Sequence, residues 1–211
     1  MQIAIVLFDR FTALDAVGPY EILSRMPGAG TVFAAERPGP VLNDSGSLTL
    51  VADKALAEVP APDVVIVPGG PGQWDQMENG VLLDWLRAAD AASTWTTSVC
   101  TGSLLLGAAG LLKGRRATSH WLALERLRPF GAEPTGERVV TDGKYVTSAG
   151  VSSGIDMGLT LLGRIAGDDA ARSVQLVTEY DPQPPYDAGS PEKAPKALVE
   201  EWRARSRLTV R

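Results

Sequence analysis

Four strand-length apolar runs, at residues 2–8, 31–35, 63–67 and 94–99, alternate with segments of helical spacing near 14–26, 79–91, 101–112, 119–128, 151–166 and 168–180. Parallel strands need long crossovers, usually helices, and are buried on both faces, so they read as unbroken apolar runs instead of alternating ones. The pattern therefore predicts an α/β fold: a doubly wound, mostly parallel sheet flanked by helices on both faces. Gly110, Gly114, Gly131 and Gly167 stand where helices can stop. The stretch Arg138 to Ser148 departs from the pattern, because Val139-Val140-Thr141 and Tyr145-Val146-Thr147 flank Asp142-Gly143, a signal for a hairpin with a type I′ turn. From Asp181 to Pro195 the composition shifts to Pro, Asp, Gly and Ser, which predicts an irregular arm leading to a last helix at about 196–206. The 211 residues fit one domain, 1–211.

Composition narrows the function classes. A formal charge of -5, with Lys and Arg scattered apart from Arg115 and Arg116, provides no basic stripe for nucleic acid. No segment approaches the roughly 18 apolar residues that a membrane span needs. The first nine residues lack a positive n-region, and their apolar run stops at Asp9, so they read as a strand and not a signal peptide. One cysteine cannot close an internal disulfide, and one cysteine with one histidine is too few soft ligands for a structural zinc site. The expectation is a cytoplasmic chain without a metal.

In doubly wound sheets ligands bind beyond the carboxyl ends of the strands, which directs attention to four segments. Cys100 follows the strand 94–99 and precedes the apolar helix Leu104 to Ala109, with small neighbours Gly102 and Ser103. A cysteine on such a turn, at a helix N-terminus that favours negative charge, is expected to be an unusually acidic nucleophile; the plainer role is a small buried hydrophobe. Asp15, just past the first strand, is either an acid/base group or the partner of Thr12 in an imperfect capping box. Gly69 and Gly70, in Val67-Pro68-Gly69-Gly70-Pro71-Gly72, form either a tight turn or a pair of backbone donors for a developing negative charge. His120 is the one imidazole available for a Cys-His pair, and is otherwise a packed or capping side chain. Glu21 and Asp156 are carboxylates whose roles spacing leaves open, and the five tryptophans read as core or interface residues.

Taken in order, the first-strand acid, the Pro-Gly-Gly turn, the strand-end cysteine and Ser153-Gly154-Ile155-Asp156-Met157-Gly158 resemble the DJ-1/PfpI superfamily over nearly the whole chain. The resemblance implies a flavodoxin-like fold with Cys100 at a nucleophile elbow beside a carboxylate. Protease-like members carry histidine after the nucleophile; Thr101 stands there in this chain. Ala13-Leu14-Asp15, Gly18-Pro19-Tyr20-Glu21, Ser98-Val99-Cys100-Thr101-Gly102, Thr118-Ser119-His120-Trp121 and Glu179-Tyr180-Asp181-Pro182-Gln183-Pro184-Pro185 are similar to the isonitrile hydratase subfamily. That implies hydration of a small isonitrile to an N-substituted formamide, with no cofactor, by a homodimer. It implies Cys100 as nucleophile, Asp15 as general acid/base with a raised pKa, Thr101 as a supporting partner, and Gly69 and Gly70 as donors near the site.

Two rival classes share these residues. A redox sensor would use oxidation of Cys100 without turnover. A ligand-binding domain related to AraC-like regulators would need a helix-turn-helix region, and about thirty residues with one helix follow Asp181.

Overall fold

A computed structural model describes residues 1–206. Its elements in chain order are β1 (Gln2–Val6), α1 (Ala13–Leu23), β2 (Gly30–Ala35), β3 (Gly39–Leu42), β4 (Thr49–Ala52), β5 (Lys54–Ala55), β6 (Val64–Val67), α2 (Gln73–Gln76), α3 (Gly80–Ala92) and β7 (Trp95–Val99). They continue with α4 (Gly102–Ala108), β8 (Arg116–Ala117), β9 (Glu133–Pro134), β10 (Val139–Asp142), β11 (Tyr145–Ser148), α5 (Ser153–Ala166), α6 (Asp168–Val177) and α7 (Lys196–Arg205). The main sheet runs β10-β11-β7-β6-β1-β2-β5, parallel throughout except for the β10–β11 pair. This is the flavodoxin-like arrangement. The chain winds from β1 outwards to β2 and then back across to β6 and β7, so the carboxyl ends of β1, β6 and β7 meet where the winding reverses.

The central strands are apolar on both faces because helices cover both. Ile3, Ala4, Ile5, Val64, Val65 and Ile66 are fully buried. Helix α1 packs along α5, and α5 along α6, while α3 and α4 pack against each other. The expected hairpin is present: Asp142 pairs with Tyr145 across the turn, and Gly143 supplies the positive φ of 60° that the turn requires. The stretch 181–195 contains no helix or strand and leads into α7.

The helix expected at 119–128 is not there. Residues Leu124–Phe130 form a 3-10 helix ended by Gly131 at φ 77°, and the preceding turn is held by Ala123 N–H donating to the His120 carbonyl at 2.7 Å. Pro129 lies near the end of this segment, where its missing N–H and fixed φ help to stop it before Gly131. A second hairpin, β3 with β4, was not anticipated. Its turn centres on Asn43, whose Oδ1 accepts the N–H groups of Ser47 and Leu48 at 3.2 and 3.1 Å.

Candidate active site

The last residue of β7 is Val99, and Cys100 turns the chain into α4 with a left-handed φ of 57°. A non-glycine residue in this region costs on the order of 1–3 kcal/mol, and it persists only where the surroundings hold it. Here they do so at both ends of the residue. The Cys100 N–H lies 3.1 and 3.0 Å from the Ser148 and Ala149 carbonyls, and its own carbonyl accepts the hydroxyls of Ser103 and Ser119 at 3.2 and 3.1 Å. Sequence reading singled out neither serine for this role, although Ser119 stands beside the histidine that drew attention. The thiol is turned toward the Asp15 carboxylate and the N–H groups of Val151 and Thr101. Val151 too has positive φ, 33°, so the second wall of the site is also held in an uncommon conformation.

Asp15 sits in the first turn of α1, with no solvent exposure. It is not part of a capping box: Thr12, the N-cap, makes no side-chain cap and donates its hydroxyl to Asp44 Oδ2 at 2.7 Å. Asp15 Oδ2 accepts the Gly69 N–H at 2.9 Å, and Thr101 Oγ1 accepts the Gly70 N–H at 3.0 Å. The two glycine peptides are thus occupied by the two side chains beside the thiol, which corrects the expectation that they stand open to a developing anion. Their lack of side chains matters for the same reason. A Cβ on Gly69 would lie 2.5 Å from both the nitrogen and Oγ1 of Thr101, and Gly70 adopts φ 132°, a conformation that side chains rarely tolerate.

Burial sets the electrostatics. Desolvation pushes Asp15 up from its ordinary 3.8 to about 7, opposed by the Gly69 hydrogen bond and by the thiol. Burial, followed by the Asp15 charge, pushes the Cys100 thiol well above its ordinary value, outweighing the N–H groups of Val151 and Thr101. Burial thus works against the acidic cysteine that a helix N-terminus alone would favour. The helix N-terminus does present N–H groups to sulfur, but a second anion beside a buried carboxylate is disfavoured. Asp15 and Cys100 are thus a coupled pair in which burial pushes each group toward its protonated form. Asp15 Oδ1 is buried without a hydrogen-bond partner among the described residues, an acceptor available to a proton.

The remaining candidates take structural positions. His120 accepts the Leu122 N–H on Nδ1 at 3.3 Å, its ring lies against Gly150, and burial holds its pKa below the usual value. Asp156 pairs with Arg138 at 2.6 Å and accepts the Tyr180 hydroxyl at 3.2 Å; Glu21 is exposed and pairs with Arg25. Among the described residues no group of three or more His, Cys, Asp or Glu side chains could hold a metal ion, and no helix is long and apolar enough to cross a membrane.

Comparison with known proteins agrees with this architecture. The chain is 44% identical over 206 residues to the isonitrile hydratase of Pseudomonas putida, a match spanning 98% of this chain and 90% of that protein. It is 34% identical over 138 residues to the HTH-type transcriptional regulator CdhR of Pseudomonas aeruginosa, covering 64% of this chain and 40% of the regulator. Among solved structures, a ThiJ/PfpI family protein from Pseudomonas syringae superposes with a TM-score of 0.94 at 38% identity, over 96% of this chain and 84% of that one. Residues 1–164 match the DJ-1/PfpI family, and the chain belongs to it.

Proposed function

We propose that this protein is an isonitrile hydratase in which Cys100 is the nucleophile and Asp15 the proton carrier. The observation that carries the reading is the wholly buried Asp15 carboxylate, held by the Gly69 N–H, beside a buried Cys100 thiol on a left-handed strand-to-helix turn. The 44% identity to an isonitrile hydratase along nearly the full chain supports the substrate class.

The terminal carbon of an isonitrile accepts a nucleophile only as a proton reaches it, so thiol and carboxylate form the smallest sufficient set. As sulfur bonds to that carbon, the thiol proton passes to Asp15, and Asp15 delivers it to the same carbon. The product is a thioimidate, in which carbon carries hydrogen, the Cys100 sulfur and a double bond to nitrogen. Asp15, again ionised, takes a proton from water as the oxygen adds to carbon, and nitrogen receives that proton. Collapse breaks the carbon–sulfur bond, the hydroxyl proton returns through Asp15 to sulfur, and an N-substituted formamide leaves. Isonitrile and water are the sole reactants consumed, and the pair ends as it began. Thr101 acts by holding the Gly70 peptide, and Gly69 by orienting Asp15. A homodimer is the assembly proposed with this reading, and light scattering on the purified protein checks it.

The test is formamide formation. Reduced protein incubated with an aliphatic isonitrile in 18O-water should yield the labelled formamide, and Cys100→Ala should yield none. Absence of turnover by folded, reduced wild type sinks the reading.

A further inference from the structure

Cys100 is 5% exposed and Asp15 wholly buried, so a substrate whose terminal carbon reaches the sulfur must carry its remaining bulk elsewhere. One apolar recess has His120 in its lining, and the His120 ring packs against Gly150, the residue before the Val151 that faces the thiol. It measures about 290 Å³ and lies between the 181–195 arm, α7 and the segment that starts at His120, with Trp121, Ala194, Leu198 and Trp202 around it. The connection runs through two backbone neighbours. A side chain on Gly150 would meet His120 Cδ2 at 2.5 Å, and the next residue, Val151, turns its N–H on the sulfur. Ser119, preceding His120, donates its hydroxyl to the Cys100 carbonyl at 3.1 Å. The imidazole is fixed in this position because Nδ1 accepts the Leu122 N–H.

We propose that this recess receives the N-substituent of the isonitrile, so that Trp121, Leu198 and Trp202 set a preference for bulky apolar isonitriles, such as cyclohexyl, over methyl isonitrile. The inference rests on the isonitrile reading above and adds the part of the substrate that the Asp15–Cys100 pair does not touch. Size and chemistry both agree. A dry apolar cavity of about 150 Å³ accepts benzene, so a space near twice that volume holds a six-membered ring with room to orient it. Burial disfavours the charged form of His120, which suits the inner wall to a hydrocarbon group. The groove between α1 and α5, of about 210 Å³, is the competing location; it carries Glu21 and the Tyr180 ring, and Val17 lines it.

The experiment measures the ratio of kcat/KM for cyclohexyl isonitrile to that for methyl isonitrile, with thermal melts to establish folding. Ala194→Phe, which fills the recess, should lower the ratio at least about tenfold, and Leu198→Ala, at an exposed position on α7, should lower it several-fold, the scale expected when a hydrophobic pocket gains or loses a few methylenes of contact. Val17→Phe should leave the ratio where it is. If wild type turns over both isonitriles and folded Ala194→Phe and Leu198→Ala leave the ratio unchanged, or if Val17→Phe shifts it instead, the recess is not the substituent site although the hydratase reading stands. If wild type hydrates no isonitrile, the reading fails and takes the inference with it.

Discussion

The Gly69 N–H meets Asp15 Oδ2 at 2.9 Å, so a peptide after β6 orients, toward the Cys100 thiol, a carboxylate in the first turn of α1. Asp15→Asn keeps the shape and the Gly69 contact but removes the proton carrier. Turnover should fall on the order of 10²–10⁴-fold, the usual worth of a positioned acid/base group. Stability should move the other way. A carboxyl whose folded pKa lies near 7 and whose ordinary value is 3.8 binds more protons folded than unfolded, so its contribution is fully present below about pH 4 and is lost as pH rises to 7. Asp15→Asn escapes that loss, and should exceed wild type by a few kcal/mol in denaturant melts at pH 8 while matching it near pH 4. A variant less stable than wild type at pH 8 would contradict the burial argument.

The same pair fixes the pH dependence of the rate. The competent form carries one proton, on sulfur, with Asp15 ionised to receive it. Below about 7 Asp15 is protonated as well, so log kcat/KM should rise with unit slope up to that pH and then level off. The falling limb should lie above the ordinary thiol value, because burial and Asp15 both push it there. Asp44 adds a repulsion that raises Asp15, so Asp44→Asn should move the rising limb to lower pH. A rate that declines between pH 5 and 8 would mean that the doubly protonated pair is the active one.

Much of this site was legible in the sequence because its parts sit at strand ends. The apolar runs at 2–8, 63–67 and 94–99 became β1, β6 and β7, and Asp15, Gly69, Gly70, Cys100 and Thr101 follow them within a few residues. What spacing could not reveal was the balance between opposing effects on one group. A helix N-terminus favours a thiolate and burial disfavours it, and only the depth of the site decides that burial wins. Nor could spacing show that the Gly69 and Gly70 peptides are already satisfied, since their partners are 54 and 31 residues away. The failed helix at 119–128 is a different kind of miss: its apolar periodicity is real, but the segment forms a 3-10 helix over Leu124–Phe130, and spacing does not separate the two kinds of turn. The β3–β4 hairpin, by contrast, was signalled by Asn43-Asp44-Ser45-Gly46 between two short apolar stretches.

Gly69→Ala tests the close approach. The added carbon would stand 2.5 Å from Thr101 nitrogen and Oγ1 and 3.0 Å from Asp15 Oδ2, so it crowds both the residue that holds the turn and the proton carrier. Relief requires moving the turn or the pair. The variant should lose activity about 10²-fold or more, because displacements near 1 Å carry that cost, and it should melt lower than wild type. Activity within threefold of wild type would mean that the turn yields without disturbing Asp15.

Thr101→Val removes the acceptor of the Gly70 N–H and keeps the volume. A buried donor left without a partner costs about 1–3 kcal/mol, which should appear as a lower melting temperature. Thr101→Ser retains the oxygen and should restore most of that loss. If Val and Ser behave alike in melting and in kcat, the hydroxyl does not hold the turn.

Peroxide separates the hydratase from a redox sensor that shares its residues. Sulfenic acid forms from the thiolate, and the Cys100 thiol is pushed well above its ordinary value by burial and by the Asp15 charge. At pH 7 wild-type Cys100 should therefore react with hydrogen peroxide no faster than glutathione does, followed by intact-protein mass. Removing the negative neighbour should make the thiolate easier to form, so Asp15→Asn should oxidise faster than wild type at the same pH although it hydrates isonitriles far more slowly. Opposite movement of the two rates is the signature of a thiol kept protonated until substrate arrives. Fast oxidation of wild type, slowed by Asp15→Asn, would instead show a preformed thiolate sustained by Asp15, and would favour the sensor.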